Sequence, residues 1–195
     1  ASDVYKRQIY CWARRFVQTK LKNSKKYKGD FTPKFHEEEF KKKFNGGIVF
    51  VSDMGDLFDE HVPDKWIERV IEHIKKFPNT YFLFLTKNPI RYHDFLDKFP
   101  KNAILGATIE TNRDELYKQY KISKAPLPSL RYKAMKELDP FMIYVGYDNY
   151  NNRLPEPPHS KTKELIRRLS EESFLVITKT LRPAWYEKGT ITSYL

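Results

Sequence analysis

Ile48-Val49-Phe50-Val51-Ser52-Asp53-Met54-Gly55-Asp56 is an apolar run that breaks without transition into serine, aspartate and glycine. The run does not alternate apolar with polar residues, which is what a strand covered on both faces by helices should look like. Four further runs repeat the pattern: Tyr81 to Leu85, Ala103 to Ile109, Phe141 to Val145 and Phe174 to Ile177. Helical patterns lie between them. The clearest opens at Pro63 and Asp64, places Ile67, Val70, Ile71, Ile74 and Phe77 three or four apart, and stops before Pro78. Trp12 to Leu21, Glu37 to Phe44, Ser129 to Leu138 and Lys161 to Leu169 are the other helical candidates. Strands alternating with helices predict an α/β fold with a mostly parallel sheet, open or closed into a partial barrel. The link from Leu138 through Asp139 and Pro140 into the Phe141 run is short, although two residues suffice for such a loop.

In folds of this kind ligands sit at the C-terminal ends of the strands. Every exit here is polar. The first is Ser52-Asp53-Met54-Gly55-Asp56, the second Thr86-Lys87-Asn88-Pro89-Ile90-Arg91, and the third Glu110-Thr111-Asn112. The fourth is Gly146-Tyr147-Asp148-Asn149 and the fifth Thr178-Lys179-Thr180-Leu181-Arg182. Lys87 and Lys179 could hold a carboxylate or phosphate, or be the ordinary polar content of exposed loops. Asp53, Asp56, Glu110 and Asp148 could bind an amino group or a metal, or act as acid and base. For Asp53 and Asp56, turn and cap chemistry around Gly55 is the competing reading. Glu110 follows an apolar run in which a charge is costly, which favours a functional role.

The chain has 195 residues, 40% of them hydrophobic and 15% aromatic, enough for one core of ordinary size. A single domain over residues 9–187 is expected, followed by a tail at 188–195. Residues 1–8 are polar and unlike the rest, and read as a non-native leader resembling translated adaptor sequence. The net charge of +11 suits a polyanionic partner such as nucleic acid, or equally a solvated lysine-rich surface. Lys20, Lys22, Lys25, Lys26 and Lys28, with Tyr27 among them and Lys41 to Lys43 beyond, form a basic front end. Such a patch could contact phosphates and stack a base, or simply be a solvated face. One cysteine excludes an intramolecular disulfide framework and is compatible with a reducing compartment. No apolar run approaches the ~18 residues of a spanning helix. No signal-peptide core opens the chain either, so cytoplasmic localisation and no membrane partner are expected. The five histidines form no closely spaced pair, and neither a zinc signature, a nucleophile elbow nor a Walker loop is present.

The single cysteine stands in Gln8-Ile9-Tyr10-Cys11-Trp12-Ala13-Arg14-Arg15. By itself Cys11 reads either as a small apolar residue or as a thiolate ligand. Other segments that stand out are Phe31-Thr32-Pro33-Lys34-Phe35-His36, Phe50 to Phe58, and Phe84-Leu85-Thr86-Lys87-Asn88-Pro89. Leu105 to Asn112 and Tyr144 to Pro155 complete the set. In this order, from Ile9 to about Trp185, they resemble the radical SAM superfamily. Within it they are similar to a radical-SAM-like family of phages, bacteria and archaea that has a three-cysteine motif and no established substrate.

The resemblance implies a partial (β/α) barrel binding a [4Fe-4S] cluster and S-adenosylmethionine, with reductive cleavage of the latter, hydrogen abstraction and an external electron donor. The cluster loop of that superfamily reads C-x3-C-x2-C with an aromatic residue before the last cysteine. Tyr10-Cys11 matches this ending and makes Cys11 a metal ligand, while the other two ligand positions hold Gln8 and Val4. Ser52, Asp53, Gly55 and Asp56 correspond to the segment meeting the methionine amino group, and Glu110 with Asn112 to a strand end near the ribose. Lys87, Gly146 and Lys179 complete the cofactor-binding candidates at the remaining exits. The first barrel strand and one internal strand-helix unit before Phe141 are missing from the pattern. The expected function is therefore a fragment of a radical SAM-like protein with a nucleic-acid-related substrate, inactive as written. The alternatives are a basic nucleic-acid-binding module on an α/β scaffold, and a metal hydrolase using Asp53, Asp56 and Glu110.

Overall fold

The computed structural model describes residues 11–24, 26–27, 34–109, 113–119, 125–138, 140, 142–147, 153–172 and 174–187. The leader, the tail, Glu110, Asn112 and Asp148 fall outside them. The chain divides into two compact units, residues 1–137 and 138–195. The boundary falls at the short Leu138-Asp139-Pro140 link.

In the first unit β1 (Ile48–Val51), β2 (Tyr81–Thr86) and β3 (Ala103–Ala107) form a parallel sheet in that order. Ile48 is opposite Tyr81, and Phe82 is opposite Ala103. Parallel neighbours require crossovers. These are α2 (Asp64–Ile74) and a 3₁₀ helix, Pro89–Lys98. α1 (Trp12–Thr19) and a short 3₁₀ helix, Glu37–Lys41, precede the sheet. Gly46 and Gly47 turn the chain into β1 with φ of 82° and 77°, which only glycine adopts without strain. The Gly46 N–H donates to Thr80 Oγ1.

α2 buries Ile67, Ile71 and Ile74, one apolar stripe at helical spacing. Rings carry this packing on to the sheet. His73 lies 5.2 Å from Phe77, and Phe44 meets both Phe77 and Phe82 edge to face. A second ring cluster joins Phe58, Phe84, Tyr92, Phe95 and Phe99, with Phe58 and Tyr92 4.6 Å apart. Tyr92 is fully buried and its hydroxyl donates to the Gly106 carbonyl. Aromatic side chains thus supply most of the bulk of this core.

The expectation of strands covered on both faces needs correction. On β2, Phe82, Phe84 and Thr86 are buried while Tyr81 and Leu85 are exposed. Ile48 and Phe50 of β1 are exposed as well, Ile48 to 69%. Successive right-handed crossovers that advance in one direction place their helices on the same face. Among the described residues, that face of β2 is the buried one.

α3 (Asp114–Gln119) and α4 (Pro128–Glu137) end this unit. Arg131 of α4 is fully buried, with Nε donating to the Pro126 carbonyl and Nη1 to the Thr108 carbonyl just past β3. Its guanidinium lies over the Tyr117 ring at 5.0 Å.

The second unit pairs β4 (Met142–Gly146) with β5 (Leu175–Lys179) in parallel, connected by α5 (His159–Glu171). A Cβ on Gly146 would lie 1.9 Å from the Lys179 carbonyl oxygen, so the pairing requires glycine there. Glu156 receives a two-pronged ion pair from Arg182, and Glu187 accepts the N–H groups of His159 and Ala184.

The chain is thus α/β with short parallel sheets of three and two strands. Among the described residues these strands form no closed barrel. No described helix is long and apolar enough to cross a membrane.

Candidate functional site

The exit of β1 is a strained turn. Ser52 has a φ of 56°, a left-handed conformation that costs a non-glycine residue about 1–2 kcal/mol. Its carbonyl accepts the Gly55 N–H at 2.9 Å. Asp53 is exposed and its Oδ1 accepts the Met54 N–H. Asp56 turns the other way and is only 3% exposed. Its Oδ1 accepts the Phe58 N–H at 3.1 Å and the Thr86 hydroxyl at 2.7 Å, and Oδ2 accepts the Lys87 N–H at 2.8 Å. Asn88 extends the network, its N–H donating to Thr86 Oγ1 and its side-chain amide to the Phe58 carbonyl. The first two exits are therefore one buried polar structure. Ser52, Asp53, Gly55, Asp56 and Lys87 come together, with Ser52 and Asp53 on the outer side and Asp56 and Lys87 buried.

Gly146 and Lys179 face each other at the ends of β4 and β5 in the second unit. Lys179 is exposed. The next residue, Thr180, has a φ of 53°. A β-branched residue is a rare occupant of that conformation. Left-handed residues thus stand at the exits of both β1 and β5. Glu110 and Asn112, expected at the third exit, lie outside the described residues.

Cys11 is buried at the N-cap of α1, where its Sγ accepts the Arg14 N–H at 3.4 Å. A [4Fe-4S] cluster held through three irons needs three thiolates. The chain has one cysteine, and among the described residues no group of three or more His, Cys, Asp or Glu could hold a metal ion. The residues present do not fit the cluster.

A cavity of about 270 Å³ lies in the first unit. Val17 of α1 and the β1 exit residues Ser52, Asp53 and Met54 form part of its wall. Phe35, Phe40, Phe44, Trp66 and Phe82 form an aromatic part, together with His73. Burial holds the His73 imidazole below its usual pKa, helped by the Lys76 charge and opposed by a hydrogen bond to the Lys42 backbone. Nε2 of that ring is buried and has no hydrogen-bond partner among the described residues.

Lys26 and Glu39 also line the cavity and form an ion pair, and Lys42 joins the same carboxylate. Burial works most strongly against the Lys26 ammonium, but the hydrogen bond to Glu39 together with the nearby charges of Tyr27, Glu39 and Glu38 outweighs it and the pKa is raised. Glu39 is correspondingly lowered by Lys26 and then Lys42. Arg69 grips Glu37 with both guanidinium nitrogens. Part of the basic front end is thus neutralised locally, while Lys25 and Lys28 lie outside the described residues.

The aromatic wall and His73 were not singled out from sequence. The available signal was the density of rings in Phe35, Phe40 and Phe44 upstream of β1, of which Phe35 lies in the 31–36 segment noted above and the other two in a stretch read only as a helical candidate.

No curated protein and no solved structure matches the chain. A family model described as a protein of unknown function, DUF5131, matches residues 7–145. That span is well over half of the chain, which therefore belongs to the DUF5131 family.

Proposed function

We propose that the chain carries the core of a radical SAM-like protein, whose family chemistry is reductive cleavage of S-adenosylmethionine at the C-terminal strand ends. The sequence as given does not hold the cluster itself. The observation that supports this reading is the shared cavity wall. Val17, on the helix headed by Cys11, and Ser52, Asp53 and Met54, at the exit matched to the methionine amino group, line one cavity. The segment following the cysteine and the proposed amino-group site are therefore neighbours.

This chain's own contribution is positional. The strained Ser52 turn presents the exposed Asp53 carboxylate, which can accept hydrogen bonds from an ammonium group, while Asp56 fixes the turn from below. The partial barrel belongs to the same proposal, with β1 to β3 as consecutive wall strands. So do an external electron donor, a cytoplasmic setting and a nucleic-acid-related substrate. The rival nucleic-acid-binding module would use the Lys20 to Lys43 region, where Glu39 already engages Lys26 and Lys42. Steep salt dependence of DNA binding would favour it.

The test is anaerobic reconstitution with iron and sulfide of a Val4→Cys, Gln8→Cys variant beside the parent chain. Iron–thiolate absorbance and S-adenosylmethionine cleavage in the variant, with neither in the parent, are expected. A folded variant showing neither overturns the proposal.

A further inference from the structure

We propose that Tyr147, Arg182, Trp185 and Tyr186 of the second unit form a binding site for polyproline II peptides with an acidic residue between prolines, which the chain's own segment 154–158 occupies in cis. Leu154-Pro155-Glu156-Pro157-Pro158 is extended by composition. Proline fixes its own φ near about −65° and drives the residue before it out of the helical region, and each of these five residues is a proline or precedes one. Pro158 has φ −57° and ψ 147°, in the polyproline II range. That conformation makes no internal hydrogen bonds, so its carbonyls are offered to outside donors. Three are taken, each by an aromatic side chain. Trp185 Nε1 donates to the Leu154 carbonyl at 2.9 Å, the Tyr186 hydroxyl to the Glu156 carbonyl at 2.9 Å, and the Tyr147 hydroxyl to the Pro157 carbonyl at 3.2 Å. The acidic position is read separately. Arg182 grips the Glu156 carboxylate with both terminal nitrogens, at 2.8 and 2.6 Å, and the Trp185 N–H adds a bond at 3.1 Å. The same guanidinium lies over the Tyr147 ring at 5.1 Å. Aromatic residues along a proline-rich ligand are a recurrent mode of peptide recognition, and the paired arginine selects a carboxylate within it.

The cis segment is exchangeable because of how it is held. Pro155 and Pro157 are exposed, and so are Trp185 and Tyr186, to 38% and 48%. The segment is gripped through carbonyls and one carboxylate, and neither of those proline rings belongs to the core. Lifting it off therefore costs polar contacts at the surface and little buried apolar area, the kind of local opening that lies at the low end of the stability range. The site it leaves keeps three aromatic donors and one cation, complementary to a proline-rich acidic stretch of a partner protein. A tethered ligand acts at an effective concentration on the order of millimolar, so a partner meets an occupied site until the cis segment is released. The site lies within residues 147–187 and stands whether or not the radical SAM reading does.

The test uses the full chain with Glu156→Lys, which sets a cation against Arg182 to release the cis segment and leaves the four reading side chains intact. The probe is a fluorescein-labelled peptide, Arg-Leu-Pro-Glu-Pro-Pro, followed by anisotropy. Saturable binding to the variant is expected, at least about tenfold tighter than to the parent chain, where the site is filled. A peptide with glutamine for its glutamate should bind the variant about tenfold more weakly, and one with alanine for its prolines should also bind more weakly. Adding Arg182→Gln should abolish the preference for glutamate. No saturable binding to the folded variant, equal affinity for variant and parent, or indifference to the prolines or the glutamate overturns the proposal. Should Glu156→Lys fail to fold, Glu156→Ala, which removes the carboxylate without adding a charge, takes its place with the same results expected and the same results overturning it.

Discussion

Replacing Asp56 tests whether the first strand exit is held from inside. The carboxylate is 3% exposed and accepts from the Phe58 N–H, the Thr86 hydroxyl and the Lys87 N–H. Asp56→Asn keeps Oδ1 for Phe58 and Thr86 but sets an NH₂ against the Lys87 N–H. One charge-assisted bond is lost, at a cost of about 1.5–3 kcal/mol. Asp56→Ala strands all three donors. Because they belong to one network their costs do not simply add, and about 3–5 kcal/mol is expected. Urea unfolding followed by tryptophan fluorescence measures both, with Trp66 reporting on the first unit. At m values of about 1–3 kcal/mol/M, the asparagine variant should lower the midpoint by about 1 M with m unchanged. If both variants unfold within about 0.5 kcal/mol of the parent, Asp56 is not the tie between the two exits. Its carboxylate would then be available to a ligand, and the division between Asp53 and Asp56 drawn above would be wrong.

Gly146→Ala would place a methyl 1.9 Å from the Lys179 carbonyl oxygen, so loss of hydrogen-exchange protection across β4 and β5 is expected, and retained protection would refute the close approach. Ser52→Gly and Thr180→Gly should each raise stability by about 1 kcal/mol by relieving left-handed strain, measured by thermal unfolding; a loss in both would show that neither turn is strained. Burial holds the pKa of folded His73 below the ordinary histidine value of about 6.5, so its neutral ring is the form that folding favours. Its contribution is complete above about pH 6.5 and declines as pH falls from there toward the folded pKa, because the unfolded chain takes up the proton first; a His73→Phe profile parallel to the parent's would contradict this.

The strand pattern was legible because each run is short, apolar and sharply bounded. Ile48–Val51 matches its run, and Met142–Gly146 and Leu175–Lys179 lie within two residues of theirs. What the runs could not disclose was the exposed face. An apolar strand reads alike whether its second face is covered or open, and Ile48 with Tyr81 is open here. The Pro89–Lys98 helix was missed for a different reason. It buries Pro89, Tyr92 and Phe95 at intervals of three, the period of a 3₁₀ helix, whereas an α-helix shows threes and fours in alternation. Arg131 escaped because a charge within a helical pattern reads as solvated. Its burial follows from carbonyls at Pro126 and Thr108, the second of which is 23 residues away.

The same separation in sequence explains the strand-end site. Ser52, Asp53 and Gly55 have their partners within the turn, so reading them as turn residues or as ligands could be weighed locally. Asp56 could not be weighed that way, because two of its donors lie 30 and 31 residues downstream at Thr86 and Lys87. Once those donors are in place, Asp56 is directed inward and the exposed carboxylate of this turn is Asp53. A cation arriving from solvent at the exit of β1 therefore meets Asp53 first, on a backbone that the buried Asp56 network holds in a left-handed turn. Position 56 sets the geometry and position 53 presents the charge, a division of roles between two aspartates that are indistinguishable by residue type and only three positions apart.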